Sequence, residues 1–159
     1  MKKYFALLAF VILALIACEK DDFCTQNPVT PNLVLRFYDK DDTNDLKSVE
    51  RFSIIAEGKT DSLFVGRTTD SIAIPLNSLT EKTVYTLKMN TVDGNIANNQ
   101  TATLTIEYKP EDDYVSRSCG YRIVFADVTL NHSGWIDNLS TNSIPLIDNQ
   151  AKAHVQVYH

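Results

Sequence analysis

The chain has 159 residues and a formal net charge of −5, because 20 Asp and Glu residues outnumber 15 Lys and Arg residues. This length suits one domain with a sizeable hydrophobic core. Binding to phosphate backbones relies on clustered Lys and Arg, whereas the basic residues here are scattered, so no nucleic acid partner is expected.

The chain begins with a short apolar segment that leads to a cysteine. Two lysines precede an apolar run over residues 4–16, and a small residue, Ala17, stands before Cys18. The run is shorter than the roughly 20 residues that span a bilayer, so it predicts a secretory signal peptide over residues 1–17. The pattern resembles that of bacterial lipoproteins, in which the cysteine thiol carries a diacylglycerol and the new amino terminus is usually acylated. The resemblance implies that Cys18 is lipidated and that the lipid anchors the protein to a membrane.

Residues 18–31 are polar and are expected to form a short tether between the lipid and the fold. The tether contains Lys20, Asp21 and Asp22 close to the lipidated cysteine. This run resembles the export signal that sends lipoproteins of Bacteroidetes-type bacteria to the outer face of the outer membrane. The resemblance implies a surface-exposed domain. The alternative is a tether that only stays solvated, with the domain on the periplasmic leaflet.

Two cysteines remain if Cys18 carries the lipid. Cys24 and Cys119 would then form a pair in an oxidising compartment, so we expect a disulfide that fastens the tether to the fold. The alternative is two unreactive thiols.

Apolar residues recur with a period of two along the rest of the chain, which predicts β-strands. The clearest strand carries Ala102, Leu104, Ile106 and Tyr108 on one face and mainly threonines on the other. Seven further strands are predicted around residues 33–38, 51–56, 63–65, 72–76, 85–89, 118–130 and 155–157. The charged segment 109–113 is predicted to separate the sixth strand from the seventh.

Eight short strands with turn-rich connections predict an all-β domain over residues 32–159, with two antiparallel sheets packed face to face. The expectation is an immunoglobulin-like β-sandwich. The immunoglobulin signature places a Trp between two paired cysteines, whereas Trp135 follows Cys119. A small β-barrel gives the same alternation and is the alternative.

The loop over residues 39–45 concentrates four carboxylates between the first two strands. An EF-hand loop needs a glycine at its sixth place and a Glu at its twelfth. Counted from Asp39, these places hold Asn44 and Glu50. A solvated turn is therefore expected, and no metal site is predicted.

Ser62 and Ser71 each follow an aspartate and precede an apolar residue. These tripeptides resemble the acceptor of the general O-glycosylation system in the same bacterial group, which implies glycosylation at Ser62 and Ser71. The alternative is that Asp-Ser simply starts a strand after a turn.

The sequence offers few groups for catalysis. His132, His154 and His159 lack metal-ligand spacing, and no G-x-S-x-G motif is present. No catalytic residue, metal or cofactor is therefore predicted. Trp135 lies in a long connection, where an exposed Trp can stack on a sugar or anchor a partner. More often such a Trp caps the open end of a sandwich core.

The anchor cysteine, the run over residues 33–39 and the segment 118–122 together resemble an uncharacterised family of small Bacteroidetes-type lipoproteins, a domain of unknown function. The resemblance implies a lipid-anchored β-domain in the outer membrane and supplies no catalytic residues. We therefore expect a non-enzymatic accessory or interaction module with an outer-membrane protein as partner. A surface carbohydrate-binding module that uses Trp135 is the alternative, and a hydrolase is a remote one.

Overall fold

The computed structural model describes residues 23–25 and 29–159, which fall into two units. The larger unit comprises residues 29–113 and 122–159. In the smaller unit, the described residues are 23–25 and 114–121. Among the described residues, no helix is long and apolar enough to cross a bilayer.

Several predictions made from the sequence fall on residues outside the described part of the chain. They concern the signal peptide (1–17), the lipidated Cys18, and the export signal Lys20, Asp21 and Asp22. These predictions, and the domain boundary at residue 32, stay predictions.

Ten strands follow one another along the described residues, and the all-β prediction is confirmed. They are β1 (Leu33–Tyr38), β2 (Val49–Ala56), β3 (Ser62–Thr69), β4 (Ser71–Ile74), β5 (Lys82–Met89), β6 (Gln100–Ser116), β7 (Gly120–Gly134), β8 (Asn138–Leu139), β9 (Ser143–Ile147) and β10 (Val155–Tyr158). One short 3₁₀ helix, Ile96–Asn98, precedes β6.

The strands form two sheets that pack together as a sandwich. One sheet has the order β4-β1-β10-β8, and the other has the order β3-β2-β5-β6-β7-β9. β1 and β10 run parallel, whereas β1 with β4 and β2 with β5 are antiparallel. The described sheets do not close into a barrel, so the β-sandwich prediction is confirmed. The disulfide differs from the immunoglobulin pattern, because neither cysteine belongs to the buried core.

Alternation of side chains builds the core between the sheets. Leu33, Leu35 and Phe37 of β1 are fully buried, and Arg36 between them is exposed. Burying a side chain of this size stabilises the fold by about 1.5–3 kcal/mol. A register slip of one residue would expose the whole apolar face, so the pattern fixes the register.

The prediction that residues 109–113 separate two strands is wrong, because β6 continues through them to Ser116. The N–H of Tyr108 donates to the carbonyl of Glu81. Backbone N–H groups alternate in direction along a strand, so the nitrogen of Pro110 points to the same side as that of Tyr108. Pro110 lies past the point where β5 begins. The missing N–H of proline therefore removes no hydrogen bond from this ladder.

The predicted alternation along the seventh strand holds only in part. Phe125, at an odd-numbered position, is fully buried, whereas the next buried residues, Val128 and Leu130, are at even-numbered positions, so the inward face shifts by one residue. Asp127 lies between Phe125 and Val128 and has φ 50°. A residue at positive φ is typical of a bulge, which explains the shift. The sequence prediction also missed β8 and β9, which are only two and five residues long.

Candidate functional site

Strand β3 is the longest edge strand of the two described sheets. Edge strands carry unpaired backbone groups to which another chain can add a strand. The other three edges are poor templates: β4 has four residues and is followed by Pro75, β8 has two, and β9 contains Pro145. β3 has eight residues and no proline. Because proline cannot donate to a ladder, β3 offers the longest proline-free edge for a partner strand, although its register against β2 is irregular and Gly66 within it has a positive φ.

The solvent face of β3 is apolar. Leu63 is 46% exposed and Val65 is 76% exposed, and alternation places both on one face. Phe64 lies between them and packs against the core, and the Arg67 guanidinium lies 5.5 Å from the centre of its ring. The strand was predicted, but the sequence did not show that Phe64 faces inward and its two neighbours face solvent. An edge with apolar side chains in water is the surface that a partner would cover.

A cleft of about 420 Å³ adjoins Val65. Its lining includes Lys88, Arg51 and Ile96, and Ile96 is 81% exposed. Arg51 is held in place because its guanidinium donates to the carbonyl of Asn90 at 3.0 Å. The cleft therefore places two cations beside two apolar side chains at the edge of the sheet.

Buried Asn90 shapes the loop that presents Ile96. Its amide nitrogen donates to the carbonyl of Asn95 at 2.8 Å, and its oxygen accepts the N–H groups of Val92 and Asp93 at 3.1 and 3.0 Å. A buried polar group must have such partners, since an unsatisfied one is costly. Asn90 could not be singled out from the sequence, because one Asn among many in a polar loop gives no distinguishing signal.

A second groove, of about 490 Å³, is lined in part by Leu63. Pro75 and Tyr85 help to line it, and the Tyr85 hydroxyl donates to the carbonyl of Pro75. Burial raises the pKa of Tyr85 to about 12, and the nearby Tyr108 adds to the shift. Tyr85 is therefore neutral at physiological pH, and its hydroxyl is engaged in holding the chain before β5. The groove offers apolar contact more than acid–base chemistry.

The half-buried His154 and His159 support the fold. His154 Nδ1 accepts the N–H of Val34 at 2.9 Å, and Nε2 lies 2.9 Å from the carbonyl oxygen of Asn149. This pairing requires a neutral ring with the proton on Nε2. Burial lowers the pKa of both His154 and His159.

Within residues 23–25 and 29–159, no group of three or more His, Cys, Asp or Glu residues is placed to hold a metal ion.

The acidic loop after β1 is an Asp-rich turn. The Asp39 carboxylate lies 2.9 Å from Lys47 Nζ and accepts the backbone N–H of Asp41 at 2.8 Å. The hydrogen bond from Lys47, together with those from the backbone N–H groups of Asp41 and Asp42, lowers the pKa of Asp39 to about 2. The carboxylate is thus used inside the turn, in the solvated arrangement that the sequence favoured.

Trp135 packs at one end of the sandwich core. Its ring centre lies 6.3 Å from that of Phe37, 6.2 Å from that of Phe52 and 5.4 Å from that of His159. The indole N–H donates to the carbonyl of Leu87 at 3.2 Å. These contacts fit the capping role that the sequence left open. The role in ligand contact stays a prediction.

The two candidate glycosylation sites differ in accessibility. The Ser62 hydroxyl accepts the N–H of Ile54 at 3.0 Å and donates to its carbonyl at 2.7 Å, so it replaces part of the ladder between β2 and β3. Ser71 is exposed, and its hydroxyl makes one longer bond, of 3.2 Å, to the carbonyl of Leu35. A sugar on Ser62 would remove the bond that its hydroxyl donates to Ile54, and glycosylation at Ser62 and at Ser71 stays a prediction.

The predicted cysteine pair is confirmed. The sulfur atoms of Cys24 and Cys119 are 2.02 Å apart and their Cα atoms 4.7 Å apart, across a sequence separation of 95. In the chain-entropy model, a loop of this length gives roughly 4.7 kcal/mol as an upper figure. The bond lies within the smaller unit, where Tyr114 and Tyr121 are exposed. Their exposure was not predicted from the sequence.

Comparisons with known proteins place the chain in a family. No curated protein and no solved structure matches it. A model described as a family of unknown function (DUF6452) matches residues 51–159. The match agrees with the expected uncharacterised family and covers more than half of the chain. The chain therefore belongs to this family of unknown function, DUF6452.

Proposed function

We propose that the protein is a non-enzymatic interaction module, anchored by lipid to the outer membrane, that binds an extended strand of an outer-membrane protein at β3. The observation that carries the proposal is the β3 edge, which is eight residues long and free of proline. Backbone hydrogen bonds to such an edge supply affinity, and alternate side chains supply specificity. Leu63 and Val65 are the alternate side chains here.

The membrane location rests on the sequence. The apolar run that ends at Cys18 supports lipidation, and the run Lys20 to Asp22 supports display at the cell surface. A lipid anchor would hold the module close to other membrane proteins. High local concentration makes weak strand addition effective, because the binding partners diffuse in one plane.

The carbohydrate-binding alternative has less support from the geometry. Glycan binding needs coplanar rings on one open surface, whereas Trp135 packs against Phe37 and Phe52. The exposed pair Tyr114 and Tyr121 is edge-on, with 63° between the ring planes. Neither arrangement offers a flat platform for a sugar.

The test of the edge is co-purification from detergent-solubilised membranes. Leu63→Glu and Val65→Glu place a charge on the proposed contact face, and Leu79→Glu is a matched control because Leu79 is 91% exposed in a turn. We expect about tenfold lower recovery of one defined outer-membrane protein with either β3 variant, which corresponds to about 1.4 kcal/mol, and no loss with the control. Equal recovery with all three variants would show that β3 is not the contact.

The anchor has a separate test. Mass spectrometry of the exported protein should show an acylated amino terminus at Cys18, and Cys18→Ser should release the protein from membranes, since two or more buried acyl chains anchor stably. Replacing Lys20, Asp21 and Asp22 with Ala should keep the lipid but protect the domain from protease added to intact cells. A wild-type protein that resists protease on intact cells but not after lysis would place it on the periplasmic leaflet.

A further inference from the structure

The smaller unit presents a cluster of aromatic rings to solvent. Tyr114 is 58% exposed and Tyr121 is 65% exposed, and their ring centres are 5.3 Å apart. Phe23 is 79% exposed and precedes Cys24, which is bonded to Cys119 in the turn between β6 and β7. Single exposed apolar residues are ordinary, but a cluster of rings marks a surface that another phase or molecule covers.

Chain length limits where this cluster can lie. Cys24 follows Cys18 by six residues, which can span at most about 20 Å even when fully extended. The disulfide then adds 4.7 Å between the Cα atoms of Cys24 and Cys119. The turn at Cys119 is thus held within about 25 Å of Cys18, whatever path the intervening residues take. If Cys18 carries a lipid, the turn is confined to the neighbourhood of the bilayer surface.

The chemistry of the cluster matches that surface. Tyr is enriched where hydrocarbon meets headgroups, because its ring is apolar and its hydroxyl remains hydrated. The described residues of the smaller unit carry no carboxylate, and Arg117 is their one charged side chain. This contrasts with the acidic balance of the chain as a whole. The residues between Tyr114 and Tyr121 thus add no negative charge of their own to the turn.

We propose that the disulfide holds Tyr114 and Tyr121 against the headgroup–acyl interface of the bilayer that carries the anchor. The proposal rests on the lipidation of Cys18 that the proposed function includes. The turn between β6 and β7 is then a second, non-covalent contact with the membrane, and the disulfide is the device that brings it there.

The test uses tryptophan fluorescence of the full lipidated protein in phosphatidylcholine vesicles whose acyl chains are brominated near the headgroup. Tyr114→Trp and Tyr121→Trp each place a quenchable ring in the cluster, and Leu79→Trp places one at an exposed site of the larger unit. Trp135 is the same background in all variants. In the cluster variants, entry of the added Trp into the bilayer should shift its emission to the blue, and bromine should reduce that emission roughly twofold. The emission of the Trp in Leu79→Trp should stay unchanged.

Three outcomes separate the claims. Lipidated protein that floats with the vesicles, but in which neither cluster variant is quenched more than Leu79→Trp, overturns this inference and leaves the anchor intact. Protein that carries no lipid and does not float overturns the anchor and this inference together. Combining Tyr114→Trp with Cys24→Ser and Cys119→Ser should keep flotation and lower quenching to the control level. Undiminished quenching would show that the disulfide does not hold the cluster at the interface.

Discussion

Gly134→Ala should lower the free energy of unfolding more than an alanine substitution at a glycine whose ideal Cβ position has no atom within 4 Å. Gly134 ends β7 with φ +83°, a backbone conformation that costs an alanine about 1–2 kcal/mol. A Cβ there would lie 2.2 Å from the carbonyl oxygen of Thr101 and 2.6 Å from the Cα of Ala102. Both are backbone atoms of β6, which cannot rotate away, so overpacking adds about 1–3 kcal/mol. The expected loss is therefore about 2–5 kcal/mol of a total stability of about 5–15 kcal/mol.

Gly58→Ala is the matched control for this prediction. Gly58 also has positive φ, +73°, but nothing lies within 4 Å of its ideal Cβ, so only the backbone cost of about 1–2 kcal/mol applies. Urea unfolding of both variants, in a chain without residues 1–17 and with Cys18→Ser, gives the two free energies of unfolding. Equal losses for the two alanines would refute the close approach of β7 to β6 at this point.

Three further predictions follow from single contacts. Cys24→Ser and Cys119→Ser should lower the free energy of unfolding by similar amounts, and the double variant should be no worse, because one shared bond is lost once. Asp39, whose pKa falls from 3.8 to about 2, contributes stability above pH 4 that is lost as the pH falls toward 2. Urea unfolding at a series of pH values should therefore show a smaller decrease in the free energy of unfolding at acid pH for Lys47→Met. Tyr85, whose pKa rises from 10.0 to about 12, contributes stability below pH 10 that is lost as the pH rises toward 12, and Tyr85→Phe should remove that alkaline loss.

The core could be predicted from the sequence where the two faces of a strand differ in polarity. On β6, Ala102 and Leu104 are buried and Thr101 and Thr103 are exposed, so the period of two identifies both the strand and its inner face. On β3, Leu63, Phe64 and Val65 are all apolar, so both faces of the strand look alike and alternation cannot show which face is buried.

The candidate site was harder to predict, because an edge is a property of sheet order and not of a strand. Nothing in the local sequence of β3 shows that β2 is its single neighbour in the described sheets. The turn that Tyr114 and Tyr121 flank was also placed wrongly, since Pro110 and the charges around it are typical of a loop. In contrast, the pairing of Cys24 with Cys119 followed from compartment and number of cysteines, which need no knowledge of the fold.

We propose that β3 is the surface through which a membrane-anchored module binds a protein partner. Photo-crosslinking in intact cells tests it most directly, with a photoreactive residue at Val65 and, as a control, at Leu79. We expect one dominant crosslinked outer-membrane protein from position 65, none from position 79, and loss of the product when Cys18→Ser removes the anchor. Products of equal yield from both positions, or a product from position 65 that persists without the anchor, would contradict it.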